Sequence, residues 1–153
     1  MAVTLPTGRT ANAISNADYH TCAILDDDSV MCWGEGSNGQ LGNGQTYDYT
    51  TPVYSSLSGI TSLTISSGGS HTCIVSESSS LMCWGYNYYG QLGDGTNTNS
   101  NTPVAVSLPT GRTANAISVG FTHTCAILDD DSIMSGSYNH LRAQGTGTNK
   151  VWS

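Results

Sequence analysis

Apolar residues fall in short runs broken by Gly, Ser, Asn and Asp, with no run of helical length. Cys22–Leu25 and Cys73–Val75 are apolar at consecutive positions rather than at alternate ones. That pattern suits a strand covered on both faces better than one with a wet face. In the middle of the chain it predicts strands near Ile60–Ile65, His71–Val75, Leu81–Trp84 and Pro103–Val106, separated by turn residues. No stretch approaches the ~20 apolar residues of a membrane span. Composition agrees: 21 Ser, 19 Thr and 18 Gly among 153 residues, with 10% charged, exclude a helical bundle and a coiled coil. The expected fold class is all-β.

The chain repeats itself. Val3–Ser15 (VTLPTGRTANAIS) returns as Val106–Ser118 (VSLPTGRTANAIS). His20-Thr21-Cys22 returns as His71-Thr72-Cys73 and His123-Thr124-Cys125, at spacings of 51 and 52 residues. Cys32-Trp33-Gly34 returns as Cys83-Trp84-Gly85, and Gly39-Gln40-Leu41-Gly42 as Gly90-Gln91-Leu92-Gly93. The one added residue of the second interval lies in the turn over 107–113, where insertion is tolerated. The repeats count as 1–51, 52–102 and 103–153. A unit of ~50 residues with about four short strands, stacked between copies of itself, is a propeller blade.

The run H-T-C-A-I-L-D-D-D-S-V-M-C-W-G-E-G-S-N-G-Q-L-G-N-G (His20–Gly44), echoed at His71–Gly95, closely resembles the regulator of chromosome condensation repeat family. The His, the W-G and the G-Q-L-G recur in register, and the likeness covers nearly the whole chain. The Cys in both H-T-C and C-W-G resembles the bacterial and algal members. The resemblance implies blades of ~51 residues in a seven-bladed ring, so that three blades form part of a propeller and the chain a fragment of a longer protein.

The motifs carry specific structural expectations. If Asp26-Asp27-Asp28 is a three-residue hairpin loop, Leu25 closes against Ser29 and Cys22 falls opposite Cys32. This is a non-hydrogen-bonded pair, with Cα atoms ~4.5 Å apart, within reach of a disulfide. The same count pairs Cys73 with Cys83. Cys125 faces Ser135 and is expected to be a free thiol. Zinc is disfavoured because no short C-x-x-C spacing occurs, and calcium because the acidic triplets lack the alternation of a calcium loop. No metal and no cofactor is expected. Asp28, Asp131 and one of Ser78–Ser80 stand where a left-handed turn residue is needed. His20, His71 and His123 should repeat one structural hydrogen bond. Trp33 and Trp84 should pack between blades, and Gly39, Gln40, Leu41, Gly42, Gly90, Gln91, Leu92 and Gly93 should form the turns that receive them.

The third unit loses the pattern after Met134: Trp84 becomes Gly136, and Gly90-Gln91-Leu92 becomes Arg142-Ala143-Gln144. A coding stretch for His140–Ala143 such as CAC-CTA-CGG-GCA, read one base later, gives Thr-Tyr-Gly and then Gln or His. That is the expected motif, so a local frameshift accounts for the scramble, which resequencing tests. Without the Trp and the closing Cys this blade should pack poorly.

Net charge is −7, and Arg9, Arg112, Arg142 and Lys150 form no cluster. Nucleic acid and anionic membrane surfaces are therefore excluded as expected partners, and no secretory leader is visible at the first residues. No nucleophile–base pair or carboxylate dyad stands outside the repeat positions, so no enzyme activity is expected. Loops that differ between copies are the candidate partner face: Glu35, Tyr47, Asp48 and Tyr49 in the first unit, Tyr86 and Tyr88 in the second, with Tyr49 set against Asn99. The expected function is a non-catalytic scaffold that binds a protein partner. The paired cysteines point to a secreted or cell-surface parent. The alternative, implied by the resemblance, is guanine-nucleotide exchange on a small GTPase. Neighbouring blades of the parent, or a second copy, are the expected partners of the open blade faces.

Overall fold

A computed structural model of the chain describes residues 2–57, 59–136 and 150–151, and every regular element among them is a strand. The first sheet holds β1 (Ala11–Asn16), β2 (His20–Leu25), β3 (Val30–Gly34) and β4 (Tyr49–Tyr54). The second holds β5 (Ser62–Ser67), β6 (His71–Ser76), β7 (Leu81–Gly85) and β8 (Ser100–Ala105). The third holds β9 (Ala114–Val119), β10 (Thr124–Leu128), β11 (Ile133–Gly136) and β12 (Lys150–Val151). Each sheet runs in chain order, and the first two are antiparallel throughout. In the third, β12 instead lies parallel to β11. The scrambled segment at 137–149 is outside the described residues.

The sheets are offset from the repeats counted in sequence, because residues 52 and 103 lie inside β4 and β8. Counting from Pro52 or Pro103 cuts a fourth strand in two, and the hydrogen-bonded unit begins about ten residues later. The first strands of successive sheets adjoin, β1 beside β5 and β5 beside β9. Two backbone-to-hydroxyl bonds tie them: Ser67 N–H donates to Ser15 Oγ (2.8 Å), and Val119 N–H donates to Ser66 Oγ (3.0 Å).

The hairpins have the expected register. Leu25 N–H donates to Ser29 O (2.9 Å), and Ile24, Ala23 and Cys22 lie opposite Val30, Met31 and Cys32. Asp28, Ser79 and Asp131 take the left-handed place, with φ of 65°, 58° and 62°. Cys22 is joined to Cys32 and Cys73 to Cys83, each pair with Cα atoms 4.1 Å apart. Cys125 lies opposite Ser135, its thiol donating to Ser135 Oγ at 3.7 Å.

Period-two alternation distributes the core. Cys22, Ile24, Val30 and Cys32 face forward onto Ile74 and Trp84 of the second sheet. The other faces of β6 and β7 (Cys73, Val75, Leu81 and Cys83) pack on Ala114, Ala126, Leu128 and Met134 of the third. Each fully buried aliphatic side chain contributes about 1.5–3 kcal/mol, so the core is made at the joints between sheets.

Candidate functional site

The joint between the first two sheets centres on the Gln40 carbonyl. It accepts Trp84 Nε1–H at 2.8 Å and the Thr72 hydroxyl at 3.2 Å. The Thr72 hydroxyl has one proton and gives it to Gln40. His20 Nε2, 2.7 Å away, must therefore be the donor to Thr72 Oγ1, which assigns the tautomer. The remaining nitrogen, His20 Nδ1, is buried without a partner. A second proton would have no acceptor there, and burial lowers the imidazole from 6.5 to about 4.

The second joint repeats the relay: His71 Nε2 lies 2.8 Å from Thr124 Oγ1, which donates to Gln91 O at 2.9 Å. Burial, with repulsion from His20 and His123, lowers His71 to about 3. Gly136 stands where Trp84 stood, so Gln91 has lost the indole donor. His123 holds the equivalent place in the third sheet, half-buried, its ring so close over Gly120 that a Cβ would collide with it.

Two glycine positions follow from the same geometry. Gly42 has φ +68°, and a Cβ would lie 2.7 Å from Trp84 Nε1. Gly34 has φ +108°, and a Cβ would strike the Tyr19 carbonyl. Leu41, Leu92, Gln40 and Gln91 are fully buried. The Gln40 side chain holds its own turn, Oε1 accepting Asn38 N–H at 2.9 Å, and Gln91 does the same for Tyr89 N–H at 3.0 Å. Gly39 has a left-handed backbone (φ +82°) tight against Asn101, and Gly90 and Gly93 are left-handed too. Trp33, by contrast, is half-buried and belongs to neither core cluster. No sheet among the described residues carries a turn for it to pack against.

The two ends of the sheets differ in chemistry. The hairpins β2–β3, β6–β7 and β10–β11 form one end. There Arg9 lies 2.9 Å from Asp27 and 3.8 Å from Asp26, and Arg112 lies 3.4 Å from Asp129 and 3.2 Å from Asp130. The acidic triplets are thus partly neutralised by arginines of the preceding turns, pairings that the sequence reading missed. The Ser29 hydroxyl bond and Arg9 also hold the exposed Asp27 carboxyl below its ordinary value.

At the other end lie the short turns within each sheet and the long β3–β4 and β7–β8 loops. This end is aromatic. Tyr19, Tyr47, Tyr88 and Phe121 are each about two-thirds exposed. Tyr86, Tyr88 and Tyr89 form a cluster, Tyr88 edge-on to Tyr89 at 5.2 Å and Tyr86 edge-on to Tyr89 at 6.1 Å. A groove of about 230 Å³ runs between Tyr86, Tyr89 and Phe121.

Two candidate residues play other parts. Asp48 has a structural part: its Oδ1 accepts Gly36 N–H at 2.9 Å and closes the loop. Asn99 does the same for Asn87 N–H at 2.8 Å, so Asp48, and not Tyr49, is the counterpart of Asn99. Tyr49 begins β4, pairs with Gly34 and packs on the first core cluster, because its side chain points inward from the strand. Glu35 is half-buried and accepts the Ser37 hydroxyl at 2.7 Å. Sequence reasoning missed Tyr89 and Phe121, although both stand in turns beside recognised motifs. It also missed Asn87, a fully buried side chain that holds the β7–β8 loop through Asp94, Thr96 and Thr98.

The sequence model of the Regulator of chromosome condensation (RCC1) repeat matches residues 27–75 and 80–127, more than half of the chain. The chain belongs to that family. RCC1-repeat relatives are found in proteins of varied role. The ultraviolet-B receptor UVR8 of Arabidopsis thaliana is 33% identical over 135 residues, covering 88% of this chain and 31% of the receptor. Among solved structures, human WBSCR16 superposes with a TM-score of 0.80 at 23% identity, over 94% of this chain and 36% of that one. Prp20p of Saccharomyces cerevisiae, whose binding to Gsp1p and histones has been studied, superposes with a TM-score of 0.75 at 21% identity, over 87% and 32%. These superpositions show the fold, a set of β-propeller blades. The chain spans about a third of each of these proteins.

Proposed function

We propose that the chain is part of a non-catalytic propeller scaffold that binds a protein partner through its aromatic loop end. The observation that carries this reading is the segregation of chemistry. The joints are built from repeated residues, two of the three hairpins are internally ion-paired, and the four most exposed Tyr and Phe collect at the remaining end. Tyrosines with few rotamers, on loops held by Asp48, Asn87 and Asn99, give contact area at low entropic cost. Binding of Gsp1p and histones by Prp20p supports a protein partner in general terms. The two cross-strand bridges support an oxidising location, secreted or cell-surface. No observation among the described residues favours the nucleotide-exchange alternative.

The test is site-specific photo-crosslinking of the full chain. A photoreactive amino acid replaces Tyr47 or Tyr88 at the loop end and, separately, Asp28 or Asp131 at the hairpin end. A protein crosslinked from the loop end alone is the expected result. Equal crosslinking from both ends, or crosslinking from the hairpin end only, overturns the reading.

A further inference from the structure

We infer that the groove between the second and third sheets takes an arginine- or lysine-bearing extended segment of the partner protein. The inference rests on the loop-end reading above and narrows it to one class of partner. Its walls are Tyr86, Tyr89 and Phe121, and its polar rim is Asn38, Ser70 and Thr122. The floor is backbone: Tyr86 N–H donates to Ser70 O at 2.8 Å, and a Cβ on Gly69 would lie 2.7 Å from Phe121 O and 3.0 Å from its ring. Tyr86 and Tyr89 line the groove with their rings near-perpendicular, so that the two do not present the same aspect to it. Ring faces carry the negative side of the aromatic quadrupole and attract cations.

Charge points the same way. Strand topology puts Asp18, Glu35, Asp48 and Asp94 at this end, in the β1–β2, β3–β4 and β7–β8 connections. Asp48 is held by a backbone N–H and Asp94 by the Thr96 N–H and hydroxyl, bonds that fix each carboxylate in place. Neither described arginine reaches this end, since Arg9 and Arg112 pair with the acidic hairpins at the other. Four carboxylates and no arginine among the described residues of this end give it a net negative field, which draws a cationic side chain toward the ring-walled cleft and repels an anionic one. A guanidinium suits the cleft better than an ammonium, because it stacks flat on a tyrosine while donating to the rim oxygens of Asn38 and Thr122.

The test is a fluorescence-polarisation titration of the full chain with a labelled Gly-Arg-Gly-Arg-Gly-Arg-Gly peptide. Two further probes accompany it: the same peptide with citrulline for arginine, and a neutral proline-rich peptide. Phe121→Ser and Tyr89→Leu remove ring faces, and Tyr54→Ser on the outer strand is the control. The arginine peptide is expected to bind, to weaken about tenfold with Phe121→Ser or with citrulline, and to weaken several-fold as salt rises. Tyr54→Ser should change nothing. If the citrulline or proline-rich peptide binds as well and Phe121→Ser still abolishes it, the loop-end reading survives and the cationic partner is refuted. If the arginine peptide binds but ignores both ring substitutions, or fails to bind, the groove is not its site.

Discussion

Lowering the pH should take the sheets apart at their joints, and the structure fixes how far. His20 and His71 titrate at about 4 and about 3 in the folded chain, against 6.5 when exposed. Between pH 6.5 and these values the unfolded chain binds protons that the folded chain refuses. Stability therefore falls as pH falls, and no such contribution exists above 6.5. At pH 4.5 each histidine is two units below its exposed value. The cost comes to about 2.5–3 kcal/mol apiece, about 5 kcal/mol for the pair. That is comparable with the whole stability of a small domain.

Urea unfolding of the full chain at pH 7 and pH 4.5 measures this directly. Replacing His71 by Gln puts an amide N–H where Nε2–H stood, keeping the donor to Thr124 but removing the titration. The variant should lose about half as much stability between the two pH values as the parent does, and His20→Gln/His71→Gln almost none. Asp27, the carboxyl held below its ordinary value, acts with the same sign but in a lower pH window. Its contribution is present above about pH 4 and is lost only below it. An unchanged loss between pH 6.5 and 4.5 in the double variant would refute the argument from the buried imidazoles.

Ser135→Cys should form a third bridge with Cys125, since that pair occupies the register of the other two. Thiol titration would drop from one group to none, and stability would rise by about 2–3 kcal/mol. Trp84→Phe keeps most of the buried volume but removes the donor to the Gln40 carbonyl, which should cost about 1–3 kcal/mol by urea denaturation. The same change at half-buried Trp33 should cost much less. Gly42→Ala should cost at least about 1 kcal/mol, through its left-handed backbone and the clash with the Trp84 indole. An unaltered melting temperature would refute that packing.

The fold was largely legible because the repeats turn one ambiguous reading into several parallel ones. A single apolar run such as Cys22–Leu25 does not distinguish strand from helix, but its return beside another Cys, after another hairpin, does. Counting inward from Asp26–Asp28 was enough to reach Cys22–Cys32, because a hairpin register is local. What stayed illegible depends on contacts between repeats or on where a side chain points. The histidines were recognised as equivalent, yet their partner, a threonine of the next sheet, lies about fifty residues away. Tyr49 and Tyr47 look alike in sequence, and only the start of β4 turns one into the core and leaves the other in water. Asp48 reads as a free acid until its backbone partner, Gly36, is known.

The Thr72 hydroxyl shows why these repeats tolerate so little variation at their joints and so much at their ends. It accepts from His20, donates to Gln40 and touches Cys22 Sγ at 3.8 Å. One atom thus meets both the covalent bridge of the first sheet and the hydrogen bonds to the second. Changing any of these partners leaves a buried polar group unmatched, at a cost of about 1–3 kcal/mol. The exposed loop positions have no such coupling to the next sheet. Gly36 and Asn87 hold equivalent places with different side chains, and each loop is closed by an oxygen from Asp48 or Asn99. A backbone closed in the same way can therefore present Glu35 and Tyr47 in one repeat and three tyrosines in the next. Specificity in such a scaffold belongs where variation is cheap, which is the end that carries the rings.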